Sequence, residues 1–166
     1  DENKNPYKVV GKLALTNKNE NESDIPESML TYDVLTKVYS KDTAQRLITQ
    51  NMSVQGQNSV SALLICEVQN FKGANELARM SDSENALAKI AAIFRNLLRK
   101  TDVIGRTGMG EFVLYLKDIS SERTAYETAE RICREVNNLY SYEFNKNSIY
   151  ISIGVALAVG KSDYST

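Results

Sequence analysis

The stretch Arg106-Thr107-Gly108-Met109-Gly110-Glu111-Phe112 joins two short apolar runs, Val103–Ile104 and Phe112–Leu116. Two runs of branched and aromatic residues with a glycine-containing connection between them predict a β-hairpin. This hairpin places two neighbouring strands of a sheet in the second half of the chain.

The segments around the hairpin alternate between strand and helix patterns. The nearly continuous apolar run at 59–68 predicts a central strand buried on both faces. Further strands are predicted at 7–15 and 148–159, and helices near Asp24, over 42–50, over 81–100 and over 121–140, from apolar residues at helical spacing. This order predicts an α+β fold, with helices packed on a mostly antiparallel sheet.

Composition excludes several classes of function. The 166 residues suffice for one domain with a core, and the net charge of −1 gives no basic footprint for nucleic acid. No apolar run approaches the roughly 20 residues that span a bilayer, and the polar start, Asp1–Asn5, does not resemble a signal peptide. The chain has no histidine, and Cys66 and Cys133 fit buried thiols better than a disulfide. We expect a cytoplasmic protein.

Several short segments, in register, resemble the GGDEF family of diguanylate cyclases. The family signature Gly-Gly-(Asp/Glu)-Glu-Phe is similar to Gly108-Met109-Gly110-Glu111-Phe112, and the family opening Asp-x-Leu-Thr-Gly-Leu is similar to 33–38, with Lys37 in place of the glycine. The segments 67–76 and Ile151–Ala156 also match, so the resemblance covers roughly 33–158. It implies a palm-like α+β domain, in agreement with the pattern of strands and helices.

The resemblance implies a specific chemistry, and the residues depart from it. Active members condense two GTP molecules into cyclic di-GMP across two facing domains, with Mg²⁺ on the phosphates, so a homodimer is implied. Glu67 stands at the metal-binding aspartate, Gly110 replaces the second metal-binding acid, and Met109 replaces a glycine that gives the phosphates room. Lys72 and Glu111 match, although Glu111 should face away from position 110 on a strand. We therefore predict a domain without catalytic activity.

Two further sets of residues are implied to bind nucleotide. Asn75 and Glu84 stand at the family's guanine-binding positions, although Ser81–Glu84 also has the pattern of a helix-capping box. Arg99 and Asp102 form the Arg-x-x-Asp of the family's inhibitory site for cyclic di-GMP, six residues before the signature segment. The alternative for Arg99 is a cation favoured by the end of a helix.

The ends of the chain carry their own predictions. Residues 1–23 are predicted to be a strand and a polar linker that resemble the end of a PAS sensor domain, and 24–166 are predicted to be the GGDEF-like domain without the family's terminal helix. The sequence thus predicts a degenerate GGDEF domain of a bacterial signalling protein, regulatory and binding cyclic di-GMP or GTP. An active cyclase using Glu67 and Glu111, and a dimerisation module or plain glycine hairpin without nucleotide, remain as alternatives.

Overall fold

A computed structural model describes residues 7–13, 25–69, 76–141 and 149–160, with side chains for 25–69, 84–140 and 149–160. Its elements, in chain order, are β1 (Tyr7–Leu13), a 3-10 turn (Glu27–Met29), α1 (Lys41–Ser53), β2 (Val60–Gln69), α2 (Glu76–Leu97), β3 (Val103–Arg106), β4 (Glu111–Ile119), α3 (Glu122–Ser141) and β5 (Tyr150–Val159). The predicted hairpin is the β3–β4 pair, which is antiparallel.

The strands form one sheet in the order β1-β5-β2-β4-β3. β2 lies in the middle and pairs antiparallel with both β4 and β5, whereas the edge strand β1 runs parallel to β5. The prediction of an α+β fold with a mostly antiparallel sheet is therefore confirmed. β1, the strand predicted at 7–15, could not bury a face by itself, and it is hydrogen-bonded to β5 at the edge of this sheet.

Helices cover both faces of the sheet. On one face α2 and α3 pack on β2, β4 and β5 around the main core, where Phe94 meets Phe112 edge-on with ring centroids 5.2 Å apart. On the other face α1 packs against β3 and β4 through a smaller cluster. The smaller cluster contains Ala44, Ile48, Val103, Val113 and Tyr115. Because strand side chains alternate, β4 contributes to both cores.

Two helix predictions require correction. The helix expected near Asp24 lies outside the described residues at its start, and beyond Pro26 only one 3-10 turn forms before Leu30 becomes extended. Thr31 then donates its N–H to Thr43 Oγ1, 3.0 Å away, which ties this segment to the start of α1. The helix expected at Ser81 begins instead at Glu76, because 76–97 contains neither proline nor glycine and is rich in good helix formers.

Burial also departs from expectation at two places. β2 is buried on both faces only in its first half. Ile65 and Glu67 lie on the same face as α1 but beyond the part that α1 covers, so they are exposed. On α3 the expected apolar stripe is buried at Ala125, Ala129, Ile132, Cys133 and Val136, but Leu139 at its end is exposed. Both cysteines are free and buried, as predicted. Among the described residues, no helix is long and apolar enough to cross a membrane.

Candidate functional site

The hairpin loop at 107–110 is closed by its own backbone and by one arginine. Thr107 N and Gly108 N both donate to the Glu111 carbonyl oxygen, at 2.9 and 3.4 Å. Arg106, the last residue of β3, donates from Nε to the Gly108 carbonyl and from a terminal nitrogen to the Met109 carbonyl, at 3.2 and 2.8 Å. The guanidinium thus fixes the loop through main-chain oxygens, whatever side chains the loop carries.

Gly108 does not make a left-handed turn. In the alternative of a plain glycine hairpin, Gly108 would supply a positive φ, but its φ lies outside the left-handed region. A Cβ at this position would lie 2.8 Å from Glu111 Oε2, so the Glu111 side chain lies beside Gly108. Because Glu111 is exposed, its carboxylate could move aside for a larger residue.

Arg106 is held from the other side by Asp33. The two groups form an ion pair at 3.2 Å, with side chains that are 16% and 25% exposed. Asp33 Oδ1 also accepts from the N–H and hydroxyl of Thr36, at 2.8 and 2.6 Å. Partial burial acts to raise the pKa of Asp33, but the bonds from Thr36 and the charge of Arg106 outweigh it and lower the pKa below its ordinary 3.8. The loop before α1 and the signature hairpin are therefore one connected unit.

Glu67 and Glu111 lie opposite each other on neighbouring strands. They are register partners in the β2–β4 ladder, so their side chains are on the same face of the sheet, and both are exposed. Their neighbours Cys66 and Phe112 are paired on the opposite face and buried in the main core. Directly opposed residues have Cβ atoms about 5 Å apart, so the two carboxylates can face one bound cation.

Position 110 contributes only backbone to this arrangement. The Gly110 carbonyl accepts a hydrogen bond from Val68 N at 2.8 Å, beside Glu67, and the residue is buried. Among the described residues, no group of three or more carboxylate, thiol or imidazole side chains is placed to hold a metal ion. GGDEF cyclases in general use Mg²⁺, which proteins hold through one or two carboxylates together with substrate phosphates, so Glu67 and Glu111 are the side chains that would hold it here, without an acid at 110.

The remaining residues that the family resemblance implied as functional differ in where they lie. Met109 projects from the loop tip and is 66% exposed, on the side where the family has a bare glycine. Lys72 and Asn75 lie outside the described residues. Glu84 is exposed within α2, two turns after the helix begins, so the alternative of a capping box at Ser81–Glu84 is wrong.

Arg99 and Asp102 lie close together, but only the Arg99 side chain is exposed to solvent. The Asp102 side chain is only 3% exposed, and its oxygens accept from Arg99 N at 2.9 Å and Lys117 N at 3.1 Å. The Arg99 side chain is 58% exposed, lies 3.6 Å from Asp102 and donates to the Lys117 carbonyl at 2.6 Å. Asp102 therefore stabilises the turn between α2 and β3, and Arg99 is the member that a ligand can reach.

Asp33 and Arg106 are site residues that the sequence did not single out as a pair. They are 73 positions apart, and only the fold brings them together. Asp33 begins the segment that resembles the family's opening, and Arg106 lies two residues before Gly108 of the signature segment. These two resemblances were the only signal that the sequence offered for the pair.

Comparison with known proteins agrees with this geometry. The family described as "Diguanylate cyclase, GGDEF domain" matches residues 30–166. Diguanylate cyclase DosC of Escherichia coli K12 is 28% identical over 135 residues, which are 80% of this chain and 29% of DosC. Probable diguanylate cyclase DgcE of the same strain is 27% identical over 131 residues, and 12% of its length is covered. The chain thus spans less than a third of these relatives.

Solved structures share the fold. Diguanylate cyclase SiaD of Pseudomonas aeruginosa, crystallised with its activator SiaC, superposes with a TM-score of 0.63 at 26% identity, covering 79% of this chain and 51% of SiaD. The GGDEF domain of DgcB from Caulobacter crescentus, in complex with c-di-GMP, superposes with a TM-score of 0.62 at 19% identity, covering 76% of this chain and 77% of that one. The sheet order, the signature hairpin and the family match over 137 positions together place this chain in the GGDEF family of diguanylate cyclase domains.

Proposed function

We propose that this chain is a GGDEF domain that has lost cyclase activity and acts as a regulatory module of a bacterial signalling protein. The observation that carries the proposal is Gly110, which offers a backbone carbonyl, already bonded to Val68 N, where an active domain needs a carboxylate. Without that oxygen the metal and the triphosphate lose a ligand that balances their charge. Met109 adds a thioether where the phosphates require room.

The second candidate is an active cyclase with an unusual metal site. The pairing of Glu67 with Glu111 on one exposed face favours it, because one or two carboxylates, together with substrate phosphates, are enough to hold Mg²⁺. The two candidates differ in one measurement, which is turnover of GTP with Mg²⁺ or Mn²⁺, followed by chromatography of the products. We expect no cyclic di-GMP above a blank without protein, with DosC as the positive control. Product from this chain that disappears in Glu111→Gln would establish the second candidate.

Restoring the signature tests the same reasoning from the opposite side. Met109→Gly with Gly110→Asp returns the space and the charge, so GTP affinity should rise about tenfold in the presence of Mg²⁺. In EDTA the added carboxylate repels the phosphates, and affinity should not rise. Each single substitution serves as a control. Unchanged affinity of the double variant with Mg²⁺ would show that the pocket is obstructed elsewhere.

Regulation requires a ligand, and GGDEF domains bind GTP or cyclic di-GMP. For cyclic di-GMP we propose Arg99 as the contact and Asp102 as the group that holds it, since Asp102 is committed to two backbone N–H groups. Arg99→Ala should weaken cyclic di-GMP binding about tenfold in calorimetric titration, with little loss of stability. No heat with wild-type protein would favour a dimerisation module that binds no nucleotide.

The setting of the domain is part of the proposal. We place the domain in the cytoplasm and expect a homodimer in the full-length protein. A PAS-type sensor would end within 1–23, and 24–166 would be the output domain. The family, and coverage of less than a third of the relatives' length, are consistent with this setting. Guanine contacts from Asn75 and Glu84, and a phosphate contact from Lys72, belong to the same proposal.

A further inference from the structure

The sheet face that carries α1 is only partly covered by the described residues. α1 packs on β3 and β4, whereas on the opposite face α2 and α3 together cover β2, β4 and β5. The consequence is visible at Ile65 in the middle of the central strand β2, because this side chain is 51% exposed although β2 is paired on both sides. We call the uncovered part of this face, over β2 and β5, the open strip.

The strand registers define the surface of the open strip. On this face β2 presents large side chains and β5 presents small ones, because alternate residues of each strand belong to the main core on the other face. The open strip is therefore a ridge on β2 beside a shallow trough on β5. The register pairs that form it are Leu63–Ala156, Ile65–Gly154 and Glu67–Ser152.

The position of α1 limits which kind of element can cover the open strip. Strands in a sheet are about 4.8 Å apart and packed helices about 8–10 Å apart, so a helix beside α1 would lie over β2 and β5. A second sheet would have to lie about 10 Å above this face, a layer that α1 already occupies over β3 and β4. From Tyr150 to Ala156 the strip is about 20 Å long, the length of a helix of about 14 residues. One helix fits.

The end of the open strip nearest the hairpin indicates the charge of that helix. Glu67 and Glu111 face each other there, both exposed, and neither is in an ion pair within the part of the chain that the structure describes. Two facing carboxylates without a cation favour a partner that brings a positive charge to this point. Arginine suits it best, because its guanidinium bonds carboxylates in pairs and stacks on aromatic rings such as that of Tyr150, which is exposed at the same end.

We propose that the open strip is the docking site of one amphipathic helix of a partner protein. The helix lays an apolar stripe of alanine and leucine over Ile65 and the trough on β5, and its arginine lies between Glu67 and Glu111. A second copy of the described part of this chain does not supply such a helix, because α1, α2 and α3 each pack their apolar face on their own sheet. The inference rests on the proposed loss of activity, since the arginine takes the place of a metal ion between the two carboxylates.

A stapled helical peptide of about 14 residues tests the proposal against the full chain. The peptide carries alanine and leucine along one stripe, glutamine elsewhere, one arginine near an end and a fluorescein for anisotropy. The matched peptide has glutamine in place of the arginine. We expect the arginine peptide to bind with a Kd of about 100 μM, and the glutamine peptide to bind about tenfold more weakly. This comparison uses the wild-type chain and needs no variant.

Variants of the chain locate the binding. Ile65→Asp should weaken the arginine peptide at least tenfold, and Ala156→Leu should do the same by filling the trough. Glu67→Gln should abolish most of the difference between the two peptides. Val34→Asp is the matched control for Ile65→Asp, since Val34 is an apolar residue that is 82% exposed on the turn before α1, outside the strip, and it should leave binding unchanged. Thermal melts check that each variant is folded.

Ser152→Cys tests whether the strip is open in solution, because Cys66 and Cys133 are buried and only the new thiol should react rapidly with Ellman's reagent. We expect fast reaction that the arginine peptide slows. Slow reaction without peptide would overturn the proposal, with a second copy as the occupant if dilution speeds it and the chain's own residues if dilution does not.

Three other results would also overturn the proposal: no binding of the arginine peptide at millimolar concentration, equal affinity of the two peptides, or equal effects of Ile65→Asp and Val34→Asp. Failure of the docking site and failure of the proposed function are distinguishable. Turnover of GTP to cyclic di-GMP would refute the loss of activity, whatever the peptides do. Absence of peptide binding, with no turnover of GTP, would refute the docking site alone.

Discussion

The ion pair between Asp33 and Arg106 should be worth measurably more than a surface pair. Its side chains are 25% and 16% exposed, and Arg106 also donates to two loop carbonyls. Arg106→Met removes all of these contacts and should cost about 2–4 kcal/mol, because hydrogen bonds to charged groups contribute roughly 1.5–3 kcal/mol each and these are partly exposed. Asp33→Asn keeps an acceptor for Thr36 and should cost about 1–2 kcal/mol.

A double-mutant cycle isolates the pair from these other contacts. We expect a coupling energy of about 1 kcal/mol, between the values for exposed and buried pairs. Urea unfolding followed by circular dichroism measures it, provided that the four slopes agree. The matched control is Arg123–Glu127 on α3, an exposed pair four residues apart with a 2.6 Å contact, which should couple by no more than about 0.5 kcal/mol.

Equal coupling energies in the two cycles would refute the reasoning, because the shorter Arg123–Glu127 distance would then count as much as burial. A second measurement locates the effect. Thr107 N and Gly108 N close the loop on Glu111, so their amide hydrogens should exchange faster in Arg106→Met while those of α3 remain unchanged. Uniformly faster exchange would mean that Arg106 acts on global stability alone.

The remaining predictions concern packing, pH and thiol reactivity. Gly105→Ala should cost about 2–3 kcal/mol in urea unfolding, because the new Cβ would lie 2.3 Å from Ala44 Cβ between β3 and α1; a cost below about 0.5 kcal/mol would contradict this close packing. The pKa of Asp33 is lowered in the folded protein, so its contribution to stability is complete above the ordinary pKa of 3.8 and is lost as the pH falls through the pKa of the folded state. In thermal melts at decreasing pH, the melting temperature of Asp33→Asn should therefore fall less steeply than that of the wild type. Burial raises the pKa of the Cys133 thiol to about 11, so Ellman's reagent at pH 8 should react with it only as fast as the protein unfolds.

The periodic elements of this fold could be predicted from the sequence. The apolar runs that became β2, β4 and β5 and the stripe on α3 each carry a repeat that only one type of element satisfies. The helix start at Glu76 was missed because Ser81–Glu84 offers a local capping pattern, which good helix formers on its N-terminal side override. A local pattern cannot show whether the helix has already begun.

The candidate site was predictable only where it is local in sequence. The hairpin and the loss of an acid at position 110 are visible in seven consecutive residues. The pairing of Glu67 with Glu111 requires the register of β2 against β4, and the commitment of Asp102 to Lys117 N requires the position of β4 beside the end of α2. Register and long-range hydrogen bonds are properties of the assembled sheet, so no spacing rule contains them.

The structure also shows that the shape of this hairpin depends little on the side chains at its tip. The loop is held by Arg106 through the carbonyls of Gly108 and Met109, and by the Glu111 carbonyl through Thr107 N and Gly108 N. None of these bonds uses a side chain at positions 109 or 110. Since Met109 is exposed at the loop tip, changes there should move stability by less than about 1 kcal/mol. The fold therefore constrains Asp33 and Arg106 through the bonds that hold the loop, whereas it places little constraint on the side chain at position 109.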